Sequence, residues 1–260
     1  MAELWHKRSA SAVEPDTRLA KRMKSSYIDL ITVLAGSEEA PFAVHEESLC
    51  YQSPFFAAAC HREWKEGEEK TVRVPTVEPD TFELYAHWVY RGEINLELVP
   101  LLDRTAEDKK YGPRLETTQT HKDDVEQLIK LYVAADMLLD EYLKNKVVDE
   151  LVGFSLDWDG GNLCIEPYHI EHLYAHTSGE SLLRLLIVYS VTSTMGREDL
   201  ERFNGMRCAN EFLYDLAAHQ LDLRRNANCY HTLTWLKRCD YHYHGSDWDW
   251  DRCKDEDSKG

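Results

Sequence analysis

The sequence predicts an α+β domain of short strands capped by helices, followed by an all-helical extension. Three observations carry that expectation. Segments rich in β-branched residues cluster before Pro75, short helices with their own start signals are interleaved with them, and beyond residue 125 the apolar residues recur at helical spacing.

Ile28-Asp29-Leu30-Ile31-Thr32-Val33-Leu34 reads as a first strand that stops at Gly36-Ser37, and Ala40 to His45 reads as its hairpin partner across a polar turn. Glu46 to Cys50 begins a short helix with acids in its first turn, where the helix dipole favours them. Ser53 can cap the next helix with Pro54 at its first position, and Phe55, Phe56, Ala59 and Cys60 supply an apolar face. Thr71 to Val74 is a further strand ending at Pro75. Pro79 and Asp80 open a helix in which Phe82, Tyr85, Ala86 and Val89 fall at helical spacing.

From Glu97 to Lys122 the pattern breaks. The stretch is charged, contains Gly112-Pro113, and reads as an inserted surface loop. Val125, Leu128, Ile129, Tyr132, Val133 and Met137, then Leu143, Val147, Val148 and Leu151, predict two packed helices. Asp157 to Asn162 is turn-rich and marks a boundary. Beyond it, helices are expected over Ile170–His176, Ser181–Thr192, Glu198–Gln220 and Tyr230–Cys239. The expected organisation is a polar arm over 1–24, an α+β domain over 25–152 with its loop at 97–122, a helical extension over 153–244 and an acidic tail over 245–260.

Composition narrows the function classes. Hydrophobic residues make up 43% and charged residues 30%, which fits a globular chain. The net charge of −17 argues against a surface that tracks nucleic-acid phosphates, which needs clustered Lys and Arg. No stretch approaches the roughly 20 apolar residues of a membrane span, and the N-terminus lacks the apolar run of a secretory signal. Seven irregularly spaced cysteines do not form a disulfide framework, so a reduced compartment, cytosol or nucleus, is expected. Arg18, Lys21, Arg22 and Lys24 form a short basic patch of the kind nuclear-import signals use, and such patches also arise by chance.

The ordered series Asp29, Phe42-x-Val44-His45, Leu49, Ser53-x-Phe55-Phe56, Trp64-x-Glu66, Val72-x-Val74-Pro75, Phe82 and Tyr90-x-Gly92-x-Ile94 resembles the BTB/POZ family. The closer likeness is to its short fungal-type proteins with a helical C-terminal extension. Leu131 to Asp136 and Leu143-Lys144-Asn145 are similar to that family's late helices. The resemblance implies a non-enzymatic protein-interaction module, acting as an adaptor on a cullin-type ubiquitin ligase scaffold or, alternatively, as a self-associating scaffold. It also implies a partner-binding signature, an apolar residue and a Glu after the Ser-x-Phe-Phe helix, and Trp64-Lys65-Glu66 stands at that place. Two readings of this segment stay open. Trp64 either anchors a partner, as buried interface aromatics do, or packs inward while Glu66 begins a solvated turn.

Asp29, His45, Ser53, Phe55, Phe56, Tyr90 and Gly92 are carried over as mainly structural family-motif positions. His45 is expected to close a strand and bond nearby backbone, and Ser53 to cap a helix rather than act as a nucleophile, since no base stands at a suitable spacing. Two departures matter. Glu46 occupies the place where co-repressor-binding relatives have Lys or Arg, so a pocket of Asp29 with a basic partner is expected to be lost. The segment before Asp29 is too polar for the strand and helix that dimeric relatives exchange, so homo-oligomerisation is not implied there.

Cys229, His231, Cys239 and His242 could complete a tetrahedral zinc site, but the Cys-x-His and Cys-x-x-His pairs stand only seven residues apart. A helix end with polar aromatic residues is the favoured reading, and no cofactor or metal is expected. His169, His172 and His176 can share a helix face without the H-E-x-x-H order, which points to a solvated or interface face. Asp247, Asp249 and Asp251 alternate as in a calcium loop but lack its Gly and terminal Glu. No segment combines a nucleophile, a base and oxyanion donors, so an enzyme is not expected.

Overall fold

The computed structural model describes residues 29–61, 68–98, 113–157, 163–194, 196–207, 209–225 and 241–243. Strand β1 (Leu30–Ala35) is the centre of a three-stranded sheet ordered β2-β1-β3. It runs antiparallel to β2 (Ala40–His45), with Val33 opposite Phe42, and parallel to β3 (Thr71–Val74), with Val33 opposite Val72. The period-two pattern buries Ile31, Val33 and Ala35 on one face. Pro41, which has no N–H to give, stands on the outer strand β2.

The β1–β2 turn requires a glycine twice over. Gly36 has φ +74°, and a Cβ there would come within 3.0 Å of Pro79 Cδ. Helix α1 (Glu46–Gln52) follows β2 directly, and α2 (Pro54–Ala59) begins at Ser53, whose hydroxyl accepts the Phe56 N–H at 3.1 Å. Helix α3 (Pro79–Arg91) starts on proline and ends at Gly92, whose φ of +69° and N–H to the Trp88 carbonyl close the last turn. Its fully buried side is Phe82, Leu84, Tyr85 and Trp88, a slightly different stripe from the one the spacing suggested, with Ala86 and Val89 packed at its margin. Phe42, Phe56, Phe82 and Tyr85 meet ring to ring, Phe42 and Phe82 at 4.9 Å.

Helices α4 (Pro113–Met137), α5 (Glu141–Asp157), α6 (Pro167–His176), α7 (Leu182–Thr194) and α8 (Ala209–Arg225) complete the architecture, with a 3-10 turn at Arg197–Phe203. This is the α+β arrangement followed by further helices that the sequence predicted. A single cluster of buried apolar residues runs from Ile31 in β1 through α3, α4 and α5 to Phe212 in α8. Polar contacts reinforce the joint. Arg184 of α7, 4% exposed, donates to the Tyr174 carbonyl, the Thr177 hydroxyl and carbonyl, and Glu211, and lies 4.1 Å over the Tyr174 ring. Asn145 of α5 exchanges two hydrogen bonds with the main chain of Tyr243, at 2.7 and 2.9 Å, while the Tyr243 hydroxyl receives the Tyr132 O–H and the Leu182 N–H.

Three expectations need correction. The expected loop at 97–122 ends earlier: Leu96–Leu98 is a 3-10 turn and α4 already begins at Pro113. Proline at a first helical position needs no N–H partner, and the burial of polar His121 and Asp123 hides the apolar period that would have shown the helix. The helix expected over Glu198–Gln220 is two pieces, interrupted by Asn204-Gly205 with Gly205 at φ +93°. His169, His172 and His176 do not share one environment. His169 is buried, its Nδ1 accepting the Glu166 N–H at the start of α6, whereas His172 and His176 line a cleft of about 210 Å³ with Glu78 and Lys130.

The polar arm, the basic patch, the acidic tail, the helix expected at Tyr230–Cys239, Trp64-Lys65-Glu66, and Cys229, His231 and Cys239 lie outside the described residues.

Candidate functional site

The end of α1, the start of α2 and the α4–α5 turn meet at two buried polar side chains. Ser53 is fully buried. Besides capping α2, its hydroxyl donates to the Leu138 carbonyl at 2.6 Å. Asp140, 1% exposed, accepts the Leu143 N–H at 2.9 Å, satisfying the first turn of α5, and the Trp88 indole N–H at 3.1 Å. Burial pushes its carboxyl up from the usual range, opposed by the hydrogen bonds from Leu143, Trp88, Gln52 and Tyr142. Burial and the nearby Asp140 carboxylate also push the Tyr85 hydroxyl up.

Over this knot the turn between α4 and α5 takes an unusual form. The Asp140 N–H reaches back to the Ala135 carbonyl at 2.8 Å and the Leu139 N–H to the Asp136 carbonyl at 3.2 Å. That pattern puts the residue after the helix cap in the left-handed region, usually as glycine. Here it is Leu139, at φ +58° and 54% exposed. Left-handed backbone costs a residue with a Cβ about 1–2 kcal/mol, and a side chain left more than half exposed recovers only part of that by burial. Tyr142, 56% exposed, leans against buried Trp88 with ring centroids 5.6 Å apart, and Tyr51 at the end of α1 is 59% exposed. Three large side chains, from α1, α5 and the α4–α5 turn, are therefore exposed around a buried, hydrogen-bonded base.

The family-motif positions surround this base. The Tyr90 hydroxyl accepts the His45 N–H at 3.0 Å and lies 2.8 Å from His45 Nδ1, so the imidazole expected to bond nearby backbone meets the last turn of α3 instead. Phe56 is buried and Phe55 packs at its edge. Asp29 has a basic partner after all. Lys70, just before β3, approaches Asp29 at 2.9 Å and Glu46 at 3.6 Å, so the cation comes from there and not from the position after His45, and its Asp29 hydrogen bond holds the ammonium above its ordinary pKa. Trp64-Lys65-Glu66 lies in the undescribed interval between the end of α2 and β3. Of the four candidate zinc ligands only His242 is described, and its Nε2 stands 3.1 Å from Asp149 Oδ1. Among the described residues no group of three or more His, Cys, Asp or Glu side chains is placed to hold a metal ion.

Tyr51, Leu139, Asp140, Tyr142 and Lys70 were not singled out from the sequence. Asp140 carried a readable signal, an aspartate just before an apolar-periodic helix. Nothing local marks Leu139, since glycine or asparagine is what that backbone normally selects. A buried base that presents aromatic and aliphatic side chains is suited to holding another protein, because such groups carry most interface energy. The model of the BTB/POZ domain matches residues 20–153, just over half of the sequence, and the chain belongs to the BTB/POZ family.

Proposed function

We propose that this protein is an adaptor that docks onto a cullin-type ubiquitin ligase scaffold and leaves its helical extension to hold a second protein. BTB/POZ domains are protein–protein interaction modules. The docking face we assign combines Tyr51, Leu139 and Tyr142 with the Trp64-Lys65-Glu66 segment. Trp64-Lys65-Glu66 enters the face as the position of the family's partner-binding signature alone, since it lies outside the described residues.

Leu139 carries the reading. A leucine more than half exposed, in a conformation that glycine would hold without strain, is a local cost with limited return in the isolated fold, and such outliers gather at functional surfaces. Contact with a partner supplies the missing return. The protein would act in the cytosol or nucleus, where such scaffolds operate.

The test is binding of the purified full chain to a purified cullin scaffold, by calorimetry or surface plasmon resonance. Leu139→Gly and the pair Trp64→Ala with Glu66→Lys should each weaken binding by tenfold or more, the first without loss of stability. Undiminished binding by both variants would sink the assignment.

A further inference from the structure

The end of α6, the turn after it, α7 and α8 line an open cavity of about 670 Å³. Arg184, 4% exposed, is its buried charge. The Arg184 Nε donates to the Thr177 hydroxyl at 2.9 Å, and Nη2 donates to the Tyr174 and Thr177 carbonyls. Nη1 donates to one oxygen of Glu211 at 3.2 Å. A guanidinium has five N–H donors, and the second N–H of Nη1 has no acceptor among the described residues. Nη1 is also the nitrogen turned to Glu211, which lines the cavity itself. A buried donor without an acceptor bears the cost of its lost hydration until a ligand supplies one.

Two carboxylates share the cavity with that one cation. Glu211 answers Arg184 with a single oxygen, and its side chain is 68% exposed. Asp215, one turn further along α8, accepts the Tyr174 O–H at 2.8 Å. No cation pairs with Asp215 among the described residues, so the cavity holds one negative charge in excess. Between the two carboxylates in sequence stands Tyr214, which lines the same cavity and is 74% exposed.

These groups ask for a cation, a flat surface and an acceptor oxygen. An arginine residue within a peptide offers all three. Its planar guanidinium donates to carboxylates as a fork and stacks on aromatic rings, and its main chain carries a carbonyl. Lysine would answer the charge alone, and an anion would meet the excess carboxylate. The cavity wall already contains the same pairing, with Arg184 4.1 Å over the Tyr174 ring and the Tyr174 hydroxyl on Asp215.

We propose that the cavity between α6, α7 and α8 is a docking site for an arginine-bearing peptide segment of a partner protein. The incoming guanidinium meets Asp215 and the free oxygen of Glu211 beside the Tyr214 ring, and a peptide carbonyl accepts the spare Arg184 N–H. The net charge of −17 draws such a segment in from a distance. The inference deepens the adaptor reading, on which it rests for the existence of a second protein. Its test involves no ubiquitin ligase scaffold, so either can fail while the other stands.

The experiment is fluorescence anisotropy with the full chain and a fluorescein-labelled glycine–serine peptide carrying a central arginine pair. The same peptide with citrulline, the neutral shape mimic of arginine, is the control. Saturable binding of the arginine peptide, lost with citrulline, is expected. Asp215→Asn, which can still accept the Tyr174 O–H, and Tyr214→Ala should each weaken it about tenfold, the effect of one charge-assisted hydrogen bond or one cation–ring contact. Glu83→Gln, which removes an exposed charge on α3, should leave it unchanged, and matched melting temperatures show that the variants fold. Equal binding of the citrulline peptide overturns the proposal, as do equal losses in Glu83→Gln or no binding even at millimolar peptide. A full chain that sediments as a dimer and is dispersed by Asp215→Asn would give the cavity to a second copy and overturn it as well.

Discussion

The Ser53 hydroxyl donates to the Leu138 carbonyl at 2.6 Å while accepting the Phe56 N–H at 3.1 Å, so one buried oxygen both starts α2 and fastens the α4–α5 turn. Ser53→Ala removes a helix cap and leaves a buried carbonyl without its donor. The expected loss is about 2–3 kcal/mol, combining typical cap and buried hydrogen-bond costs. Urea titration followed by circular dichroism measures it; a shift under half a kcal/mol would show that the oxygen is not the joint described above.

Leu139→Gly should move stability the other way. Relief of left-handed strain gains about 1–2 kcal/mol, and the greater freedom of glycine in the unfolded chain returns up to about 1. The expected net is a stabilisation of several tenths to about 1 kcal/mol, visible as a raised melting temperature. Leu139→Ala keeps the strain and should be close to neutral. A glycine variant less stable than the alanine variant contradicts the strain argument.

His169 supplies a pH signature. Burial holds its imidazole down to about 4, against an ordinary value of about 6.5. The folded state thus resists protonation more than the unfolded state does. Its contribution is complete above about pH 6.5 and declines as pH falls toward 4, by about 3 kcal/mol in all. Other groups titrate in the same interval, so the difference from His169→Gln is the quantity to read. Glutamine can still accept the Glu166 N–H at that position. Denaturation midpoints between pH 7 and 4 should fall less steeply in the variant, and parallel curves refute the assignment.

Asn145→Ala leaves the Tyr243 N–H and carbonyl without their partners, at a cost of about 1–3 kcal/mol. Limited proteolysis should then cleave near Tyr243 markedly faster than in the unaltered chain, with the core fragment intact. Equal cleavage rates would mean that the asparagine does not hold this segment.

Legibility in the sequence followed the range of the interaction. Ser53-Pro54, Pro79 and Gly92 announce their roles because caps and turn residues act within four positions of themselves. The strands of the hairpin were readable from β-branched residues and the polar turn between them, and the ordered family motif made the fold class legible. What was hidden depends on distant partners. Trp88 finds Asp140 across 52 positions and Lys70 finds Asp29 across 41, and neither pairing leaves a local trace. The start of α4 was missed because buried His121 and Asp123 stand where an apolar period was sought. The proposed docking face was hidden for a further reason: Leu139, read alone, is an ordinary apolar residue, and only its backbone sets it apart.

The buried cluster that runs without interruption from Ile31 to Phe212 has a consequence for how the protein can be divided. The stretch matched as the family's domain ends at residue 153, yet α4 packs against α3 and α5 within it and against α6 beyond it. Expressed alone, that stretch would open the outer side of α4 to water, along with Tyr132, whose hydroxyl meets Ser181 and Tyr243. The unit of heredity that recurs among relatives is thus smaller than the unit that unfolds. Heating the whole chain should give one calorimetric transition rather than two, and loosening the late helices should be felt at the proposed docking face.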